Sequence, residues 1–233
     1  MKKFLAALLL LCMAFTCAMA ETTQTAPEAK GEGVMTYAQY AEAELYTEVV
    51  IETYVQATQS WWDNKITVYS QDMEGGYFMY EMACSEEDAA KLVPGTKIRV
   101  KGEKIEYAGE VEVGSGTFEI LEGSYIAEPV DLTSVLGTEE MANYMNQKAI
   151  FKGLTLEKLE HKYGEPGDDI YLTFGLNGAS YSFCIERYLT APETEVYQTV
   201  CNLQVGDVVD VEGFVYWYNG AEPHITAVTP VAQ

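Results

Sequence analysis

Two runs of aromatic residues hold the side chains best suited to chemistry in this chain: Trp61-Trp62 and Tyr216-Trp217-Tyr218, with Tyr77 and Tyr107 completing the set. An exposed ring can stack on a base or a sugar, contributing about 1–3 kcal/mol per stacked base. The competing role is packing, because large aromatics dominate cores and interfaces alike. Adjacent strand residues point to opposite faces, so at most one of each neighbouring pair can meet the same partner. Other chemistry is poorly supplied. Asp72 and Glu74 share one turn, and Glu165, Asp168 and Asp169 crowd one loop, yet neither run has the spacing of a calcium loop and turns favour Asp in any case. His161 and His224 stand in no motif, no Gly-x-Ser-x-Gly elbow occurs, and Gly114-Ser115-Gly116 lacks the lysine of a phosphate loop. The sequence therefore points to no catalytic residue, no metal site and no cofactor.

The cysteines and the N-terminus bear on compartment. Lys2 and Lys3, an apolar run from Phe4 to Phe15 and the ending Ala18-Met19-Ala20 make residues 1–20 a secretory signal, too short to span a bilayer. The expected location is outside the cytoplasm: extracellular, periplasmic or in the cell envelope. Cys17 in the leader offers a competing lipid anchor, although the residues before it depart from that motif. Cleavage leaves Cys84, Cys184 and Cys201. An exported location permits Cys184 and Cys201 to pair across one repeat, with Cys84 left as a small buried hydrophobe.

The elements that carry these residues occur twice. Leu92, Gly95, Val100, Gly102, Tyr107 and Gly109 recur at one constant spacing as Leu203, Gly206, Val211, Gly213, Tyr218 and Gly220, with Ile98 answered by Val209. Glycines repeated in register mark bends and turns, so the two halves share a backbone path. Residues 21–35 read as a disordered spacer. Thr36 and Gln39 then form a capping box, alternation runs through Val49–Val55, Ile66–Val68 and Tyr77–Met82, and Gly75-Gly76 marks a hairpin. Ser85 and Asp88 open a short helix that Pro94-Gly95 ends, before strands at Thr96–Lys104 and Val111–Ile120. The second half follows with a helix at Glu139–Met145, strands at Lys148–Leu156, Ile170–Phe174 and Tyr181–Glu186, a helix opened by Thr190-Ala191-Pro192-Glu193, and two closing strands. The division is 36–129 and 130–233.

Strand, strand, strand, helix, strand, strand is the order of the OB-fold, a five-stranded barrel. Tyr69-Ser70-Gln71-Asp72 followed by Gly75 to Tyr80 resembles the second hairpin of such domains, and Leu92 to Gly102 resembles their fourth strand. The resemblance is to the OB-fold superfamily and to exported bacterial OB-like proteins generally. It implies an all-β chain with short helices, built as two tandem OB-fold-like five-stranded barrels. It also implies that the loops carrying Trp61-Trp62 and Tyr216-Trp217-Tyr218 flank the ligand face.

The formal net charge is −22, and loss of Lys2 and Lys3 with the leader makes the mature chain more negative still. Phosphate backbones are bound mostly through Lys and Arg, so this composition disfavours nucleic acid. One basic cluster, Lys97, Arg99, Lys101 and Lys104, runs along a single strand. The expected function is that of a noncatalytic exported binding protein whose partner is a protein, a glycan or a small molecule. The alternatives are an enzyme of unrecognised type, gathering carboxylates around His161 or His224, and a cation-stabilised structural envelope protein.

Overall fold

The computed structural model describes residues 29–231. The leader, Cys17 and the first part of the spacer lie outside the described residues. No helix among the described residues is long and apolar enough to cross a membrane.

The first barrel is built from β1 (Glu48–Thr58), β2 (Lys65–Gln71), β3 (Gly76–Ala83), β4 (Thr96–Tyr107) and β5 (Glu110–Ser124), with α1 (Tyr37–Glu42) before β1 and α2 (Glu86–Ala89) between β3 and β4. Its strands pair in the order β1-β2-β3-β5-β4 and close on themselves through β1 and β4. The second begins with β6 (Val130–Asp131) and a 3-10 turn at Glu139–Tyr144, then β7 (Lys148–His161), β8 (Ile170–Leu176), β9 (Ala179–Ile185), α3 (Glu195–Asn202), β10 (Val208–Phe214) and β11 (His224–Pro230). The order β7-β8-β9-β11-β10 closes through β10 and β7, with β6 added parallel to β7. The two halves therefore repeat one another strand for strand. In each, the third and fifth strands meet through a single parallel pair, Met79 with Val113 and Cys184 with His224. The chain is two tandem OB-fold-like barrels.

The repeated glycines have a common cause. Gly102 and Gly213 both sit where the register of the fourth strand shifts against the fifth. A Cβ at Gly213 would collide with the His224 carbonyl, and one at Gly102 would strike Val113 and the Gly114 carbonyl. At these bulges the hairpin partner strand comes too close for any side chain.

Local signals hold at both first-half helices. The Thr36 hydroxyl accepts from the Gln39 N–H while Gln39 reaches back to the Thr36 N–H, and the Ser85 hydroxyl accepts from the Asp88 N–H. Four readings need correction. The helix assigned to Glu139–Met145 is the 3-10 turn. The helix expected at Thr190 starts four residues later: Thr194 caps Tyr197, whereas the Thr190 hydroxyl donates to the Ile225 carbonyl. Residues 29–35 are ordered, with the Lys30 ammonium on Asp72 and the Met35 N–H on the Val50 carbonyl. Cys84, Cys184 and Cys201 are all free thiols, so the Cys184–Cys201 disulfide does not form. Strand alternation explains the last point. Phe183 and Ile185 point into the barrel core, which turns Cys184 outward, whereas Cys201 packs against that core from α3.

Candidate functional site

The first barrel's outer β2–β3 surface begins with the cross-strand pair Tyr69 and Phe78, which point away from the core residues Val68, Tyr77 and Met79. That surface is covered by the second barrel. Phe214 stacks on Tyr69 with ring centroids 4.8 Å apart, and Tyr216 meets Phe78 edge-on at 5.4 Å. Tyr216 in turn lies on the His224 ring at 4.0 Å, and the Tyr69 hydroxyl shares a 2.6 Å hydrogen bond with His224 Nδ1. Burial holds His224 neutral by depressing its pKa to about 3. The barrels are joined further along by the Trp217 N–H on Glu110 Oε2 at 2.8 Å and by the Asn219 N–H on the Ala108 carbonyl at 2.7 Å.

Beside this seam lies a cleft of about 530 Å³ between the barrels, lined by Trp61, Trp62, Tyr80, Glu81, Glu186 and Tyr188 among others. The loop joining β1 and β2 closes with Asp63 and Asn64 both at positive φ, the geometry of a two-residue hairpin turn. Paired hydrogen bonds between Trp62 and Lys65 fix its tip. The two indoles then divide their roles. Trp61 donates its ring N–H to the Cys84 carbonyl at 2.9 Å and packs on the barrel core, while Trp62 remains 74% exposed at the cleft mouth. Tyr80 stands half-exposed on β3, next in line after Phe78. Across the cleft the Tyr188 carbonyl accepts the Ser60 N–H at 2.8 Å, tying the loop to the second barrel. Glu186 folds back to accept the Tyr188 and Leu189 N–H groups, and burial raises its pKa to about 7.

The remaining sequence candidates scatter. Tyr77 is fully buried in the first barrel, its hydroxyl donating to Asp72 at 3.0 Å, and so cannot stack on a ligand; the hairpin alternation turns it inward. Tyr216 and Trp217 are half-buried in the seam, and the Trp217 indole lies where a Cβ on Gly109 would come. Tyr107 and Tyr218, equivalent in the repeat, meet each other with centroids 6.3 Å apart and stay largely exposed. Tyr80 closes the hairpin stretch that resembles OB-fold domains but is not among the candidate ligand residues, and Tyr188 stands in no motif that marks it.

Charge in the region is largely spent internally. Lys97 and Arg99 both pair with Glu52, Arg99 also with Glu119, and Lys101 with Glu48. Lys104 is buried, with its ammonium on the carbonyls of Tyr40, Ala41 and Ala43. Asp72 is occupied by Lys30, Tyr77 and the N–H groups of Glu74 and Gly75, and Asp168 and Asp169 by Lys162 and Arg187. Among the described residues no group of three or more His, Cys, Asp or Glu side chains is placed to hold a metal ion.

No protein-family model and no curated protein matches the sequence. Solved structures do resemble the fold. A murine DNA-binding protein bound with double-stranded DNA is similar at a TM-score of 0.38 and 10% identity, over 79% of this chain and 97% of that one. The p202 HIN1 domain in complex with a 12-mer double-stranded DNA gives 0.35 and 11%, over 82% and 96%. A replication protein A heterotrimer bound to single-stranded DNA gives 0.31 and 12%, over 80% of this chain and 49% of that chain. The likeness is one of architecture, and the ligands belong to those proteins. The DNA held by these neighbours stands against the expectation of a protein, glycan or small-molecule partner with nucleic acid disfavoured, while likeness at this level speaks to fold alone.

Proposed function

We propose that this chain is a noncatalytic protein, acting outside the cytoplasm, that binds single-stranded nucleic acid by stacking bases in the cleft between its barrels. Residues 36–129 and 130–233 are its two structural units, and the leader-like residues 1–20 support the location. The observation that carries the reading is the aromatic cleft: Trp62, Tyr80 and Tyr188 offer ring faces around a space of about 530 Å³, large enough for a base or two. Every base has a π-face, so such a platform needs no particular sequence. Affinity here cannot come from a basic groove, because Lys97, Arg99 and Lys101 are each paired with a carboxylate. Binding is therefore modest and only weakly salt-dependent, with a slope in log affinity of about one or less, since few counterions are released.

The test is a fluorescence titration of the full chain with a twelve-residue oligothymidylate and a matching RNA, at low and at physiological salt. Saturable quenching with a shallow salt slope, weakened roughly ten- to hundredfold by Trp62→Ala, is the expected result. Absence of binding to either strand at low salt overturns the proposal.

A further inference from the structure

The seam contains two carboxyl groups that nothing neutralises. Glu110 opens β5 and has no solvent exposure; Oε2 accepts the Trp217 N–H of the second barrel, and Oε1 has no hydrogen-bond partner. Glu112, two residues on and so on the same face of β5, is also buried, with its Oε2 unpartnered. Asn146, from the segment that leads into β7, donates Nδ2 to the Val111 carbonyl between them and its backbone N–H to Val215, leaving Oδ1 unpartnered. The Tyr40 hydroxyl of α1 is the fourth. These account for four of the six buried side-chain polar atoms without a partner among the described residues. Three of the four are pure acceptors when both acids are ionised. Protons on the two carboxyls would supply the donors this group lacks.

The surroundings offer no cation. None of the ion pairs among the described residues includes Glu110 or Glu112. The titratable groups around the pair are Tyr37 and Tyr40 of α1, Tyr69 of β2, Tyr80 of β3, Tyr107 of β4 and Tyr216 of the second barrel, and the last basic residue of β4 is Lys104, which pairs across the strands with Val113. Of these only Lys104 is cationic, and its ammonium is committed to three carbonyls of the α1 end. The joint is also tight: a Cβ on Gly76 of the first barrel would overlap the Asn146 backbone.

We propose that Glu110 and Glu112 form a proton-operated joint between the two barrels, locked while both are neutral acids and loosened when they ionise. Desolvation raises Glu110 to about 8 and Glu112 to about 7. The sign follows. A carboxyl whose folded pKa lies above its unfolded value binds more protons in the folded state, so its contribution is complete below about pH 4.5 and is lost as pH rises to about 8. Surface carboxylates have finished titrating by about pH 6, so carboxyl titration above it belongs to the buried acids. Glu186 of the cleft titrates in the same range and supplies the control.

Thermal midpoints and small-angle scattering of the full chain are to be measured from pH 6 to pH 9.5 on the wild type, on Glu110→Gln with Glu112→Gln, and on Glu186→Gln. The wild type and Glu186→Gln are expected to lose thermal midpoint and gain radius of gyration with rising pH, whereas the double variant keeps both nearly level. An unchanged wild type, or a double variant that loosens as the wild type does, overturns the joint. If the double variant does not fold, infrared spectroscopy of Glu186→Gln decides: with the cleft acid removed, the carbonyl stretch of protonated carboxyl groups is expected at pH 7 and lost by pH 9.5, and its absence at pH 7 overturns the proposal.

Discussion

Tyr69→Phe removes one oxygen from the middle of the seam and leaves the ring stacking in place. The hydroxyl is the partner of His224 Nδ1 at 2.6 Å and also receives the Gln59 side-chain amide at 3.4 Å. His224 is almost fully buried, and the space that the oxygen vacates is too small for a water molecule to replace it. Leaving a buried polar group unpartnered costs about 1–3 kcal/mol. For a chain of this size that corresponds to a fall in thermal midpoint of about 2–4 °C per kcal/mol, so a drop of roughly 4–8 °C at the middle of the range. Urea unfolding at pH 7, where His224 is neutral, measures it directly. Tyr107→Phe is the comparison, because Tyr107 is 59% exposed; that change should stay within about 0.5 kcal/mol. Equal effects from the two substitutions, or a Tyr69→Phe cost below about 0.5 kcal/mol, would refute the idea that this hydrogen bond holds the barrels together.

Gly213→Ala should be severe, about 3 kcal/mol or more by urea midpoint, because the added methyl meets the His224 backbone carbonyl and not a movable side chain; a stability loss under 1 kcal/mol would contradict the account of the β10–β11 bulge. Thiol titration of residues 21–233, unfolded without reductant, should find three reactive groups per chain, as the free Cys84, Cys184 and Cys201 require. One reactive group would restore the disulfide.

Local structure was legible where one side chain answers one backbone group. Thr36 with Gln39 and Ser85 with Asp88 cap the helices their spacing announces. The repeat was legible because its glycines meet the same steric demand twice, at Gly102 and at Gly213. Thr190 misled because a hydroxyl near a proline has two uses, and here the nearby Ile225 carbonyl outcompetes the helix N-terminus. Cys184 and Cys201 are close enough along the chain to suggest pairing, but strand alternation sends one away from the other. Alternation likewise turns Tyr69 and Phe78 outward while saying nothing about what covers them. Tyr188 could not be found at all, since it becomes a cleft residue only through the docking of two barrels.

That docking has a consequence for the whole molecule. In OB-folds the ligand lies over the second and third strands, between the loops that follow the first and the fourth. Here that berth on the first barrel is already taken: Phe214 and Tyr216 rest on Tyr69 and Phe78, Tyr188 on the β1–β2 loop, and Asn219 and Trp217 on the β4–β5 turn. The second barrel behaves as a tethered tenant of the first, present at an effective concentration no free ligand can match. Anything that binds from outside must use the margin that the tenant leaves uncovered, or wait for it to leave.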